Sequence, residues 1–242
     1  MATPSVRYET QIWARSILLR CGAPLCLVLL IAFMLLVGCK PPASEFVKAL
    51  TTAVPACWHT LCPGVTSRFE VLDALQTLPE IHPKEVHDFP DRTPTPYTYW
   101  KFDRTKLPGC SSALCRYRDD VVVFCEFDCS GGLSLGQLVE KYGDPDYVVP
   151  IVRQADTRWL AMLIVYQDIG IATGFGKLRW LSGEVSFSAN TQLQGLYLFP
   201  PELYEELFGE PYWMFGITYA QFQEAQKPWP GYGRFRYAER WP

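Results

Sequence analysis

Two acidic side chains, Glu126 and Asp128, lie two residues apart in a segment whose residues predict a β-strand. Alternate residues of a strand point to the same face of a sheet, so the two carboxylates would lie side by side, as general acid–base catalysis requires. Glycoside hydrolysis is the reaction that such a pair would suit. Charged residues are also ordinary on the solvent face of a strand. We therefore expect no catalytic residues and keep an envelope hydrolase acting on glycan or peptide as an alternative.

A second group with the residue types for chemistry consists of Cys57, His59 and Glu70. A histidine close to a cysteine favours the thiolate, which is the nucleophilic form. Cys62 lies only five residues beyond Cys57. In an exported protein, a cysteine with another cysteine nearby is usually oxidised, so we expect Cys57 to be oxidised and not to act as a nucleophile.

The compartment is indicated by residues 25–39, an apolar run that no charge interrupts. Basic residues precede it, and a small residue stands before Cys39, which is the pattern of an export signal. Its last four residues, Leu36-Val37-Gly38-Cys39, resemble the bacterial lipobox. The resemblance implies that residues 1–38 are a lipoprotein signal peptide and that Cys39 becomes the acylated first residue of the mature protein.

The alternative is an uncleaved membrane anchor, because residues 21–38 are just long enough to cross a bilayer. Either interpretation leaves residues 40–242 outside the cytoplasm. We expect the protein at the bacterial cell membrane or outer membrane, attached through Cys39 or the N-terminal helix and facing the extracytoplasmic side.

Charge limits the partners. Beyond residue 38 the chain carries 19 Lys and Arg against 24 Asp and Glu, a net charge of about −5. Nucleic-acid affinity depends mostly on Lys and Arg neutralising phosphates, so we expect no nucleic acid as a partner. An aromatic content of 14% supplies the apolar area for a core.

The cysteines beyond Cys39 are even in number, which favours disulfides in an exported chain. A turn at Arg118-Asp119-Asp120 would set Cys115 opposite Cys125, and we take these two as the best pair. The other pairings stay open. The spacings match no common zinc pattern, so we expect neither a metal nor a cofactor. The disulfide candidates are Cys57, Cys62, Cys110, Cys115, Cys125 and Cys129.

Helix starts recur along the chain. Ser67-Arg68-Phe69-Glu70 and Ser134-Leu135-Gly136-Gln137 are both capping boxes, 67 residues apart. Pro200-Pro201 follows after a similar interval and predicts a third helix start. We interpret this spacing as an internal repeat. Equivalent helices would each lie on a sheet and bury one face, which includes Leu72, Val139 and Tyr204.

Between these helices the pattern predicts short strands with tight turns, which implies antiparallel pairing. The Pro-rich stretch from His82 to Tyr97 predicts a loop. The expected class is α+β, with tandem units of a short helix packed on an antiparallel β-sheet. The predicted organisation is a signal peptide or membrane anchor at 1–38, a linker at 39–55, helix-plus-sheet units at 56–130 and 131–199, and a partial third helix with an aromatic tail at 200–242.

The segment from Leu133 to Pro145, a capped helix that ends in Gly143-Asp144-Pro145, resembles the helix signature of BamE/SmpA-type envelope lipoproteins. It is also similar to the β-lactamase-inhibitor-protein fold, in which such a helix lies on an antiparallel sheet. The resemblance covers about half of the chain beyond Cys39 and implies a protein-binding scaffold without catalytic residues. This chain is about twice as long as the single-unit lipoproteins and has extra cysteines.

The C-terminal tail interleaves aromatic and basic residues, the types that dominate interface energetics. It could contact a partner or simply fasten the last sheet, and its interaction candidates are Trp229, Tyr232, Arg234 and Arg236. Our leading hypothesis is a non-enzymatic, membrane-anchored lipoprotein that binds another envelope protein. Besides the hydrolase, the alternative is a lipoprotein that binds a sugar or lipid on its aromatic side chains.

Overall fold

The computed structural model describes residues 44–92, 95–154, 158–179, 184–209 and 219–237. The expected signal segment and Cys39 lie outside this part of the chain. Within it, no helix has the length and apolar character needed to cross a membrane. Residues 43–242 form one compact unit.

Short helices and a large sheet make up this unit, which confirms a mixed helix and antiparallel sheet class. The helices are α1 (Glu45–Ala49), α2 (Arg68–Thr77), α3 (Leu135–Tyr142), α4 (Tyr204–Gly209, after a 3₁₀ turn at Pro201–Leu203) and α5 (Tyr219–Ala225). The strands are β1 (Ile81–Phe89), β2 (Tyr97–Phe102), β3 (Ser112–Arg118), β4 (Val121–Ser134), β5 (Tyr147–Gln154), β6 (Arg158–Tyr166), β7 (Ile171–Arg179), β8 (Glu184–Phe187), β9 (Gln192–Leu198), β10 (Lys227–Pro228) and β11 (Gly233–Arg236).

Nine strands form one antiparallel sheet in the order β1-β2-β3-β4-β9-β7-β6-β5-β10. β8 and β11 form a separate two-stranded sheet. The strands of both predicted units therefore join in one continuous sheet, with β4 and β9 at the junction.

All three predicted helix starts are present. Ser67 and Ser134 each accept a hydrogen bond from the third helical N–H, and the Glu70 and Gln137 side chains complete the two capping boxes. The third start differs, because Pro201 opens a 3₁₀ turn with no side-chain cap.

The predicted helix faces are buried to different extents. Tyr204 is buried, Val139 is half-buried and packs against the core, and Leu72 is half-buried. The fully buried residues of these faces are Val71 and Leu75 of α2 and Leu135 and Leu138 of α3. Helices this short have apolar residues on more than one side, and the sheet they dock against decides which side faces inward.

The β3–β4 hairpin has a two-residue turn and not the expected three-residue one. Asp119 and Asp120 both have positive φ, at 50° and 60°, as the tight hairpin turns that match strand twist require. A register shift between Arg116 and Tyr117 then adds one residue to β4. Turn and bulge together place Cys115 directly opposite Cys125, where the two are bonded.

The prediction of disulfides is confirmed, since the six candidate cysteines form Cys57–Cys62, Cys110–Cys129 and Cys115–Cys125. The sequence left the first two pairings open, and the third is the pair that the hairpin register predicts.

Two segments expected to lack regular structure contain some. Residues 81–89, at the start of the Pro-rich stretch, form β1, an edge strand with a register shift between Ile81 and Val86. Pro83 lies within this irregular part, and an edge strand tolerates a residue without an N–H. In the expected linker, Ser44 caps α1, and Phe46 and Val47 of that helix are buried.

The two faces of the sheet are covered differently. On one face, α1, α2, α3 and the β8–β11 ribbon enclose a core centred on Trp58, Trp100 and Phe127. On the other, α4 and α5 cover the β5–β7 half, where Phe199, Phe208 and Phe222 pack together.

Candidate functional site: the open face of the sheet

The outward side chains of β1 to β4 and β9 form a surface that we call the open face. It consists of Glu85, His87 and Phe89 of β1, Tyr97, Tyr99 and Lys101 of β2, Ser112, Leu114 and Arg116 of β3, Glu126 and Asp128 of β4, and Tyr197 of β9. β2 shows why the face exists. Thr98, Trp100 and Phe102 point into the helix-covered core, so strand alternation turns their neighbours outward.

One row of cross-strand neighbours crosses the centre of this face. His87 stands opposite Tyr99, Tyr99 opposite Leu114, Leu114 opposite Glu126, and Glu126 opposite Tyr197. The His87 and Tyr99 rings stack with centroids 6.4 Å apart. Residues paired in this way touch along the row, which makes it a continuous strip with one carboxylate near its end.

A second row is anchored by aromatic residues. Phe89, which is 37% exposed, stands opposite Tyr97, and their ring centroids are 4.8 Å apart. Tyr97 stands opposite Arg116, and Arg116 opposite Phe124. The Arg116 guanidinium donates to Thr95 Oγ1 over 3.2 Å. Tyr97, Tyr99 and Leu114 are half-buried and belong to neither buried cluster.

The electrostatics of the face centre on Glu126. Partial burial raises the pKa of its carboxyl group, Asp128 adds to the rise, and Arg116 opposes it. Burial also raises the pKa of Tyr197, its cross-strand neighbour. Lys101 does not supply a counter-charge to Glu126, because it pairs with Glu85 over 3.0 Å.

The two carboxylates expected to work as a pair have different surroundings. Asp128 accepts hydrogen bonds from Ser111 over 2.6 Å and Ser130 over 3.1 Å. It lines a pocket of about 400 Å³ with Arg104 and the Cys110 end of a disulfide, and Glu126 does not line that pocket. A hydrolase would need both carboxyl groups directed at one substrate, so this arrangement does not favour it.

Cys57, His59 and Glu70 do not form the nucleophilic group that their residue types would allow. Cys57 is bonded to Cys62. His59 instead meets Glu80, with Nε2 and Oε1 2.6 Å apart, and Glu70 caps α2. Among the described residues no cluster of three or more His, Cys, Asp or Glu side chains is arranged to hold a metal ion.

The four tail candidates lie away from the open face. They are in β11 and in the turn between β10 and β11, on the helix-covered side of the sheet. Trp229 is half-buried against Phe187, with ring centroids 5.1 Å apart, and Tyr232 is 48% exposed. Arg234 and Arg236 approach Glu184 at 3.5 and 3.3 Å. β10 pairs with β5 and β11 with β8, so this tail segment fastens both sheets.

Comparison of the chain with models of protein families, with curated proteins and with solved structures finds no match. The likeness to BamE/SmpA-type lipoproteins therefore stays a prediction.

The sequence alone does not predict the open face. Glu126 was identified as a carboxylate, but Leu114 and Tyr197 were not identified as its neighbours. Alternation in Tyr97-Thr98-Tyr99-Trp100 was the available signal. Which alternate face was solvent-exposed depended on where the helices pack.

Proposed function

We propose that this protein is a non-enzymatic scaffold of the cell envelope that binds another envelope protein through the open face. It would be a lipoprotein acylated at Cys39 and held at the extracytoplasmic side of a bacterial cell membrane or outer membrane. Three disulfides in the described part of the chain support an oxidising compartment.

The observation that carries the binding function is the partly exposed strip of His87, Tyr99 and Leu114, which ends at Tyr197, where the second core begins. Contiguous exposed apolar surface with a polar rim is typical of protein interaction sites. Tyrosine is among the residue types enriched at such sites. The strip lies on rigid strands, so a partner would meet a surface that is already formed.

The position of α1 supports access to this face. Phe46 of α1 packs against Phe127 on the helix-covered side of the sheet. The first described helix therefore lies in the layer opposite the open face.

The strand order supports the finer proposal of tandem units. α2 precedes β1 to β4, α3 precedes β5, β6, β7 and β9, and the order 1-2-3-4-9-7-6-5 is symmetrical about the β4–β9 junction. Two copies of one helix-plus-four-strand unit, joined through their last strands, would produce this order. We propose on this basis that the BamE/SmpA-like resemblance extends over both units.

Lipidation is tested by growing cells with a radiolabelled fatty acid. We expect label on the wild-type protein and none on Cys39→Ser, because the acyl group needs the sulfur. A labelled Cys39→Ser protein, or a mature chain that still begins at Met1, would contradict the proposal.

Partner binding is tested by affinity purification from detergent-solubilised membranes with Tyr99→Ser/Leu114→Ser. The matched control is Phe69→Ser, which removes an 80% exposed apolar side chain of α2, outside the open face. We expect a co-purifying protein with wild type and Phe69→Ser that is lost with the double variant. Equal recovery with all three would refute the open face as the binding site.

A further inference from the structure

A surface cavity of about 400 Å³ lies beside Asp128 of the open face. The β2–β3 loop and β4 line it with Arg104, Gly109, Cys110, Ser111, Asp128 and Ser130. No aliphatic or aromatic side chain is among these residues, so the lining suits a polar molecule. Binding sites for small molecules commonly have volumes of about 300–1,000 Å³, and this cavity is large enough for a small ligand.

The walls of the cavity are held in place by covalent and packing contacts. The Cys110–Cys129 disulfide ties the β2–β3 loop to β4, and both cysteines are buried. Gly109 has a φ of 88°, and a Cβ at this position would collide with the backbone of Gly132. Leu107 fixes the middle of the loop in the core. A ligand would therefore meet a site that is already formed.

One negative and one positive side chain line the cavity, and the described part of the protein gives neither of them a counter-charge. Among the described residues, the Asp128 carboxylate accepts hydrogen bonds only from hydroxyl groups, from Ser111 Oγ over 2.6 Å and from Ser130 Oγ over 3.1 Å. Arg104 is exposed and forms no hydrogen bond or ion pair with any described residue. A ligand with two opposite charges would give each side chain a partner.

The hydrogen-bonding groups on the two sides of the cavity differ. The hydroxyl protons of Ser111 and Ser130 point to Asp128, so both oxygens keep lone pairs that can accept. With the carboxylate they make a cluster of acceptors that matches the N–H donors of a primary ammonium group. The Arg104 guanidinium presents parallel N–H donors, which fit a carboxylate. A ligand with a single charge would satisfy one side chain and be repelled by the other.

We propose that this cavity binds a zwitterion with a free ammonium and a free carboxylate, that is, an amino acid or a short peptide. The ammonium would bind to Asp128, Ser111 and Ser130, and the carboxylate to Arg104. This inference goes beyond the proposed function, because it assigns a small ligand to residues outside the strip of His87, Tyr99 and Leu114.

Isothermal titration calorimetry of the full chain in detergent tests the ligand chemistry. Each standard amino acid is titrated separately, and L-alanyl-L-alanine is compared with L-alanine to distinguish a peptide from a free amino acid. We expect at least one of these probes to bind. Its N-acetyl derivative lacks the ammonium and its amide lacks the carboxylate, so each should bind about tenfold more weakly or worse.

Substitutions in the cavity test its location. Arg104→Met and Asp128→Asn each remove one charge from an exposed position, and each should weaken binding of the same probe about tenfold or more. Lys106→Met is the matched control, since Lys106 is an exposed cation of the same loop that does not line the cavity. We expect its affinity to equal that of the wild type, and thermal unfolding of each variant checks that it is folded.

Several results would overturn the proposal. These are no heat of binding with any amino acid or with the dipeptide, equal binding of the N-acetyl and amide derivatives, or binding that survives both Arg104→Met and Asp128→Asn. Tighter binding of the dipeptide than of alanine would support the zwitterion site and identify a peptide as the source. The derivatives need no change in the protein, so the test stands even if a variant does not fold. Partner binding at Tyr99 and Leu114 is measured separately, so failure here leaves the proposed function intact.

Discussion

Asp88 joins α2 to the sheet through a chain of side-chain hydrogen bonds. Arg68 donates to Asp88 through Nε over 3.1 Å and through Nη2, and Thr98 donates to the same carboxylate over 2.9 Å. Tyr117 then donates to Thr98 over 2.8 Å in the core. Partial burial acts to raise the pKa of Asp88, but the bonds from Arg68 and Thr98 outweigh it and lower the pKa.

Replacing Asp88 with Asn should lower the free energy of unfolding by about 1–2 kcal/mol at neutral pH, since a partly buried charge pair is broken. Urea denaturation at pH 6 measures this change. Asp73→Asn, an exposed position of α2, should change stability little.

The loss at Asp88 should depend on pH. A carboxylate with a lowered folded-state pKa contributes stability above the unfolded value near 4, and the contribution disappears as pH falls through the folded value. The difference between wild type and Asp88→Asn should therefore shrink between pH 5 and pH 2. A difference that stays constant over this range would show that the ion pair does not stabilise the fold.

α2 and α3 are short helices, and their capping boxes largely define where each helix begins. Two otherwise unpaired backbone N–H groups are satisfied in each box. Helices of 10 and 8 residues are marginal alone. Their persistence depends on these caps and on packing against the sheet.

Ser134→Ala should therefore cost about 1 kcal/mol of stability. Chemical denaturation compares it with Ser186→Ala, which changes an exposed residue of β8. If both substitutions have equal small effects, the box at Ser134 does not stabilise α3.

The disulfides close loops of different length, with sequence separations of 19 for Cys110–Cys129, 10 for Cys115–Cys125 and 5 for Cys57–Cys62. Loop-closure entropy in the unfolded chain grows slowly with length. Paired Cys→Ser substitutions should therefore lower stability by about 3 kcal/mol for the two longer loops and about 2 kcal/mol for the shortest. Denaturation of the three double variants gives the ranking, and a largest effect at Cys57–Cys62 would contradict it.

The whole molecule is organised by one sheet with a core on each face. β4 and β9 join the two predicted units through six residue pairs, from Cys125–Leu198 to Ser134–Gln192. Leu196 and Leu198 of β9 share the helix-covered core with Trp100 and Phe127. No described boundary separates the two halves into independent cores.

We therefore expect a single unfolding transition. Calorimetry should give equal calorimetric and van't Hoff enthalpies for the disulfide-intact protein, as cooperative domains do. Leu75→Ala in α2 should lower the free energy of unfolding by about 2–5 kcal/mol and shift this single transition to lower temperature. Two transitions, only one of them shifted by Leu75→Ala, would show that the halves unfold independently.

Local features were predictable from the sequence because their causes are local. Ser67 and Ser134 cap helices through bonds that span three residues, and the signals for them lie in four consecutive letters. Strand alternation and tight turns likewise predicted the antiparallel class. The even number of cysteines in an exported chain predicted disulfides, and the register of one hairpin predicted the Cys115–Cys125 pair.

What the tertiary structure decided depends on contacts distant along the chain. The half-burial of Leu72 and Val139, the strand at the Pro-rich β1 and the pairing of β4 with β9 all depend on partners that no local window contains. The open face has the same origin. Tyr99, Leu114, Glu126 and Tyr197 come from four strands, and they become one surface only because the helices pack on the opposite side of the sheet.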